Sequence, residues 1–154
     1  MEQQSVVHNT FVVERNYPQQ PEGVFAALSD PSKKRRWYAS EVESFEMDFR
    51  VGGLEDTVSR MGENTPFPGT ELTSHISYQD IVTNRRVVMA QTMSLGGRHI
   101  SSALITIELL KGATGTDLIL THQGAFYEGS GGWEMRKHGW ETLIDRIPNA
   151  LGNA

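Results

Sequence analysis

The strongest constraint in this chain is its last third, where HQGAFYEGSGGWEMRKHGWETLIDRI, residues 122–147, runs from a β-like segment into one amphipathic helix. On a 3.6-residue period Trp133, Trp140, Leu143, Ile144, Ile147 and Leu151 fall within a sector of about 100°, the width of a stripe laid against a core. One helix face is committed to burial, and two tryptophans on it either fill a core or wall a cavity. Pro148 lies inside the pattern, where it removes a backbone donor and crowds the carbonyl four residues back, at a cost of about 3 kcal/mol in a helix interior. The regular helix is predicted to end or kink just before it, leaving Leu151 off the stripe.

The rest of the chain has to supply the surface that this helix covers. At 154 residues it reads as one domain over 1–154, a size that buries roughly 70% of the surface its unfolded chain would expose. It has no cysteine, so disulfides and thiolate metal sites are excluded and a cytoplasmic setting is the default. The start, MEQQSVVHNT, lacks the basic residues and the apolar run of a secretory signal. No segment reaches the roughly 18 apolar residues that span a bilayer, so no membrane partner is expected. A net charge of -5 and a pI near 5.5 argue against nucleic acid, whose binders need a basic surface. The one basic cluster, at 33–36, reads as a solvated helix face.

In chain order, HNTFVVERNY at 8–17 is a β-rich run stopped by Pro18. Pro21 suits a first helical position, with Val24, Phe25 and Leu28 on one side of a short helix. Asp30 and Pro31 then read as N-cap and first residue of a second short helix ending near Trp37 and Tyr38. From Glu41 the period changes to two: Phe45, Met47, Phe49 and Val51 alternate with polar residues up to a Gly52-Gly53 turn. In the following strand, 54–61, the face bearing Glu55, Thr57 and Ser59 is the candidate for an inward, polar one. After the turn-rich MGENTPFPG come strands near 70–81, 85–95 and 98–110, and then TDLILTHQGAF, in which Leu118, Leu120, His122 and Phe126 share a parity. The order predicts an α+β fold, an antiparallel sheet whose open face is closed by the C-terminal helix.

Familiar catalytic and metal motifs are missing. The five histidines, His8, His75, His99, His122 and His138, show no His-x-His or His-x3-His spacing, so no metal site and no metal cofactor is expected. GSGGW lacks the Lys-Ser/Thr of a phosphate-binding loop, and Ser101 and Ser102 sit in no nucleophile-elbow pattern.

Five strings, SDPSKKRRWYA, MDFRVGGLE, YQDIVTNRRVVMA, GTDLILTHQGAF and HGWETLIDRI, occur in order over nearly the whole chain. With them the chain resembles the SRPBCC superfamily, the START and birch-allergen-like helix-grip fold. Within it the chain looks most like the branch related to activators of the ninety-kilodalton heat-shock protein ATPase. The resemblance implies a curved antiparallel β-sheet wrapped around a long C-terminal helix, with two short helices after the first strand and a cavity between sheet and helix. It implies wall positions at Trp37, Tyr38, Met89, Met93, Phe126 and Trp140, which otherwise are plain core. A small apolar or aromatic molecule is the expected ligand, bound mainly through buried apolar area.

Three polar residues join these candidates. His122 faces the helix if Leu118 and Leu120 do, although relatives in this branch often carry an acidic residue there. An inward histidine needs partners, because an unpaired buried polar group costs about 1–3 kcal/mol. Glu55, beside the hairpin, and Arg136, roughly 60° from Trp133 on the helix, are the candidates for that role. Together they form either the polar end of a pocket or a structural network. Three functions stay open: a binding module; an enzyme resembling polyketide cyclases or hydrolases, with Glu55 and His122 as acid and base; and a co-chaperone contacting the heat-shock protein. A homodimer through the first or last strand, or through a cavity rim, also stays open.

Overall fold

In the computed structural model, which describes residue 2 and residues 4–152, the closure of sheet by helix is built as follows. Strand β1 (Val7–Tyr17) leads into α1 (Pro21–Ser29) and α2 (Pro31–Tyr38). Strands β2 (Ser44–Met47), β3 (Leu54–Arg60), β4 (Glu71–Val82), β5 (Arg86–Leu95), β6 (Arg98–Gly112) and β7 (Gly115–Phe126) come next. Helix α3 (Trp133–Ile144) and a single 3-10 turn, Ile147–Ala150, complete the order. The strands form one antiparallel seven-stranded sheet in the order β1-β7-β6-β5-β4-β3-β2. The edges are therefore β1 and the short β2. The last strand, β7, is no edge: it lies between β1 and β6, which removes it as a surface for strand-to-strand dimerisation.

Local chemistry explains the early helices. Pro21 and Pro31 each stand in the first turn, where a missing N–H costs nothing. The Asp30 carboxylate accepts from the Ser32 and Lys33 backbone N–H groups at 2.9 and 3.4 Å, which fixes the start of α2. The Trp37 indole donates to the Ala27 carbonyl at 2.8 Å and ties α2 back to α1. Phe45, Met47 and Phe49 all face inward as the alternation requires, but the ladder stops at Met47 and Val51 is 56% exposed. The chain leaves the ladder there because Gly53 N–H bonds back to Arg50 and Gly52 N–H bonds across to Tyr78.

Two bulges bend the sheet. One lies between Tyr78 and Asp80 on β4, the other where Met93 and Ser94 of β5 face Ser101 and His99 of β6, so that Ile100 is the extra residue. That extra residue puts both Ile100 and Ser101 indoors, 4% and 1% exposed. Helix α1 packs on β6 and β7 and, with Trp37, fills one end of the concave face.

Helix α3 closes the face at its C-terminal end. Ile144 and Ile147 are fully buried, Trp140 is 4% exposed, and Trp133 and Leu143 are half-buried against the core. The helix stops at Ile144, and Pro148 sits in the first turn of the 3-10 segment, where its missing donor is harmless. Leu151 thus leaves the helix but still packs against the core. The Tyr17 hydroxyl, 4% exposed as a residue, donates to the Ile144 carbonyl at 2.7 Å, and Arg15 pairs with Asp145 at 2.6 Å. Tyr17→Phe is expected to cost about 1–2 kcal/mol by leaving a buried helix-end carbonyl unpaired. Urea unfolding checks this: the midpoint should fall with the slope unchanged.

Candidate ligand-binding site

The half of the concave face that α1 does not fill holds a cavity of about 300 Å³. Its floor is Leu72 of β4, Gln91, Met93 and Leu95 of β5, and the bulge residue Ile100. Its roof is Met135, Arg136, Gly139, Trp140 and Leu143 of α3, with Tyr38 at the end of α2. Two loops make the rims, Met61, Pro66 and Phe67 on one side and Gly129, Ser130 and Gly131 on the other. Gly129, Gly131 and Gly132 have φ of 80°, 82° and 91°, left-handed backbone that other residues rarely adopt. Gly139 is a helix-interior glycine whose missing side chain would meet nothing within 4 Å, so it keeps the roof thin.

Of the wall positions implied by family resemblance, Tyr38, Met93 and Trp140 line this cavity. Trp37, Met89 and Phe126 are 1–2% exposed and belong to the packed core instead. The difference is one of depth: Met89 lies two residues before Gln91 on β5, under the part of the face that is filled. Sequence reasoning missed Met61, Phe67, Leu72, Leu95, Ile100 and Met135. The parity of Leu95 with Met93 was a usable signal; the loop residues and the bulged Ile100 had none.

The polar candidates separate into two places. Glu55 does not meet His122: its Oε1 accepts from Lys34 Nζ at 2.5 Å and from the Tyr78 hydroxyl at 2.6 Å. Lys34 also lies 4.6 Å from the centroid of the Tyr38 ring. Lys34 is 4% exposed, which corrects the view of the 33–36 cluster as a wholly solvated face. It lies three residues before Trp37, on the inward side of α2. Burial together with the Glu55 charge pushes the Tyr78 phenol pKa upward, so it stays a neutral donor.

His122 is fully buried and stacked between Phe11 and Phe126, with ring centroids 4.5 and 5.7 Å away. Gly124, between His122 and Phe126 on β7, makes this possible: a Cβ there would lie 2.7 Å from the Phe126 ring. Neither ring nitrogen of His122 has a partner among the described residues. Burial, helped by the nearby Arg136 charge, lowers its pKa to about 4. The Arg136 guanidinium sits 5.3 Å from the centroid of the Phe126 ring and reaches the cavity wall. Its Nη1 has no partner among the described residues, and burial lowers its pKa to about 10. Gln91 donates to Ser74 Oγ at 2.8 Å and has no partner for Oε1. Tyr38 is held neutral by burial and by the Glu55 charge, its pKa pushed well above the usual phenol value. Among the described residues no group of three or more His, Cys, Asp or Glu side chains is arranged to hold a metal ion, and no helix is long and apolar enough to cross a membrane.

A curved sheet gripping a C-terminal helix, with a mostly apolar cavity between them, defines an SRPBCC helix-grip domain. The chain belongs within it to the family of Activator of Hsp90 ATPase homolog 1-like proteins, which matches residues 18–152. A protein of Rhizobium leguminosarum is 31% identical, with 96% of each chain covered and a TM-score of 0.88. The Mll3558 protein of Rhizobium loti is 38% identical over 96% of this chain and 100% of its own, with a TM-score of 0.84. CalU16 of Micromonospora echinospora shares the fold at 18% identity, covering 96% and 86% of the two chains at a TM-score of 0.63. No curated protein matches the chain.

Two outcomes test the interior. Between pH 6.5 and about 4 an unfolded chain protonates His122 while the folded one does not, so stability falls as pH drops through that window, by about 3 kcal/mol once complete. His122→Leu should flatten that part of the melting-temperature profile relative to wild type. Separately, Lys34→Met leaves the buried Glu55 charge without its cation, with only the Tyr78 hydroxyl donating to it, and is expected to cost about 3–5 kcal/mol. Adding Glu55→Gln should restore much of that loss, a coupling read in a double-mutant cycle by chemical denaturation.

Proposed function

We propose that the whole chain acts as one binding domain for a small, largely apolar molecule held between β4–β6 and α3. The observation that carries this reading is the cavity itself: its floor and roof are mainly Leu, Ile, Met and Trp side chains, with a few polar groups converging from Tyr38, Gln91 and Arg136. That combination gives affinity through apolar area and orientation through a few hydrogen bonds. Three methionines, Met61, Met93 and Met135, supply an adaptable lining.

An enzyme using Glu55 and His122 as an acid and base pair is disfavoured, because Glu55 is held by Lys34 and Tyr78 and His122 lies in an aromatic stack. Contact with the Hsp90 ATPase is a second reading, carried by the family match alone. Stimulation of that ATPase by the purified chain is its direct assay.

The neutral fluorophore N-phenyl-1-naphthylamine tests the binding reading. It should bind wild type in the micromolar range, and Gly139→Leu, which extends a side chain from the roof, should weaken it at least about tenfold. Gly139→Ala should leave binding nearly intact and raise stability by about 0.5–1 kcal/mol, the usual gain for glycine in a helix interior. Binding that ignores Gly139→Leu, or none at all, removes the proposal.

A further inference from the structure

Resting on the cavity as a small-molecule site, we propose that its ligand is an apolar monocarboxylate whose anionic head is held by Arg136. Charge around the cavity is out of balance. The protein carries a net charge of -5, yet no residue lining the cavity is acidic, and Arg136 is the one charged side chain among them. Its Nη1 has no partner among the described residues. Glu55, the buried carboxylate among the described residues, makes no ion pair with Arg136: its Oε1 is held by Lys34 and Tyr78. What remains beside Arg136 is the π-face of Phe126, which tolerates a guanidinium but supplies no hydrogen bond acceptor.

A half-buried guanidinium is costly to leave alone and presents a planar fork that fits a carboxylate. The remaining polar groups of the cavity agree with an anion. The Tyr38 hydroxyl is kept protonated and can donate. Gln91 presents Oε1 without a partner while its Nε2 faces Ser74; turning the amide over lets the Ser74 hydroxyl donate to Oε1 and brings the NH2 group round as a further donor. One cation and neutral donors match a single negative charge; a phosphate dianion would meet too little positive charge. The volume of about 300 Å³ and the methionine lining leave room for an aromatic or branched aliphatic body.

Matched probes decide it: 2-naphthoate and 2-naphthamide share one ring system and differ in charge. Calorimetry on wild type should find the carboxylate at least about tenfold tighter than the amide, the scale of a charge-assisted pair. In Arg136→Gln the preference should shrink to about twofold or less while the amide keeps its wild-type affinity, which also shows that the variant retains its cavity. Arg136→Lys should recover part of the preference. The methyl resonances of Met93 and Met135 report whether the probes sit in this cavity. Equal affinities in wild type, with those resonances shifted, overturn the carboxylate and leave the apolar site standing. Tighter binding of 2-naphthyl phosphate than of 2-naphthoate overturns the single-charge assignment. If neither naphthyl probe binds, this inference falls; the fluorophore binding and its loss in Gly139→Leu show separately whether the apolar site survives.

Discussion

The structure depends on how α3 is seated. Its C-terminal end is pressed into the concave sheet by Ile144 and, in the 3-10 turn that follows, by Ile147, both fully buried, and is pinned by the Tyr17 hydroxyl on the Ile144 carbonyl. Its first turns are not pressed down in the same way: Trp133 is half-buried and Met135 is 47% exposed. With α1 filling the other end of the face, the space under the middle and first turns of α3 is the one left over, and the cavity occupies it. A helix seated evenly along its length would leave far less room.

The same seating sorts the charges inside. Lys34 and Tyr78 both hold Glu55 Oε1 and tie α2, β3 and β4 together, so the buried charge is answered locally, while Oε2 has no partner among the described residues. A buried pair of this kind adds little net stability but is costly to break from one side. His122 is treated in the opposite manner, as an aromatic surface kept neutral between two phenylalanines. Arg136 alone is answered by neither device. The charged and titratable candidates therefore fall in two places, Glu55 with Lys34 and Tyr78, and His122 with Arg136 about the Phe126 ring.

Much of this was legible in the sequence. Parity placed Leu118, Leu120, His122 and Phe126 on one face, and Asp30, Pro31 and Pro148 marked helix boundaries, because these signals are local to a few residues. The same parity put Glu55 and Thr57 indoors. What it could not assign was partnership: Glu55 and His122 share an inward orientation but stand on strands separated by β4, β5 and β6. Lys34 was hidden by its basic neighbours, since composition averages over a cluster while burial picks one side of the helix. The bulge that turns Ile100 inward is a property of register between two strands, and no single strand's pattern contains it.

The two rims of the cavity are made of different material. On one side the chain runs through Gly129, Gly131 and Gly132 with left-handed backbone, and a side chain at Gly129 or Gly131 would run into Arg98 or Met135. On the other side Met61, Pro66 and Phe67 present ordinary side chains, with Phe67 45% exposed. The glycine rim can change little without rebuilding the approach to α3, whereas the opposite rim can exchange one side chain for another at small cost to the fold. Within this architecture the outline of the cavity mouth is free to drift along Met61, Pro66 and Phe67, while the glycine side is held in place by its own backbone.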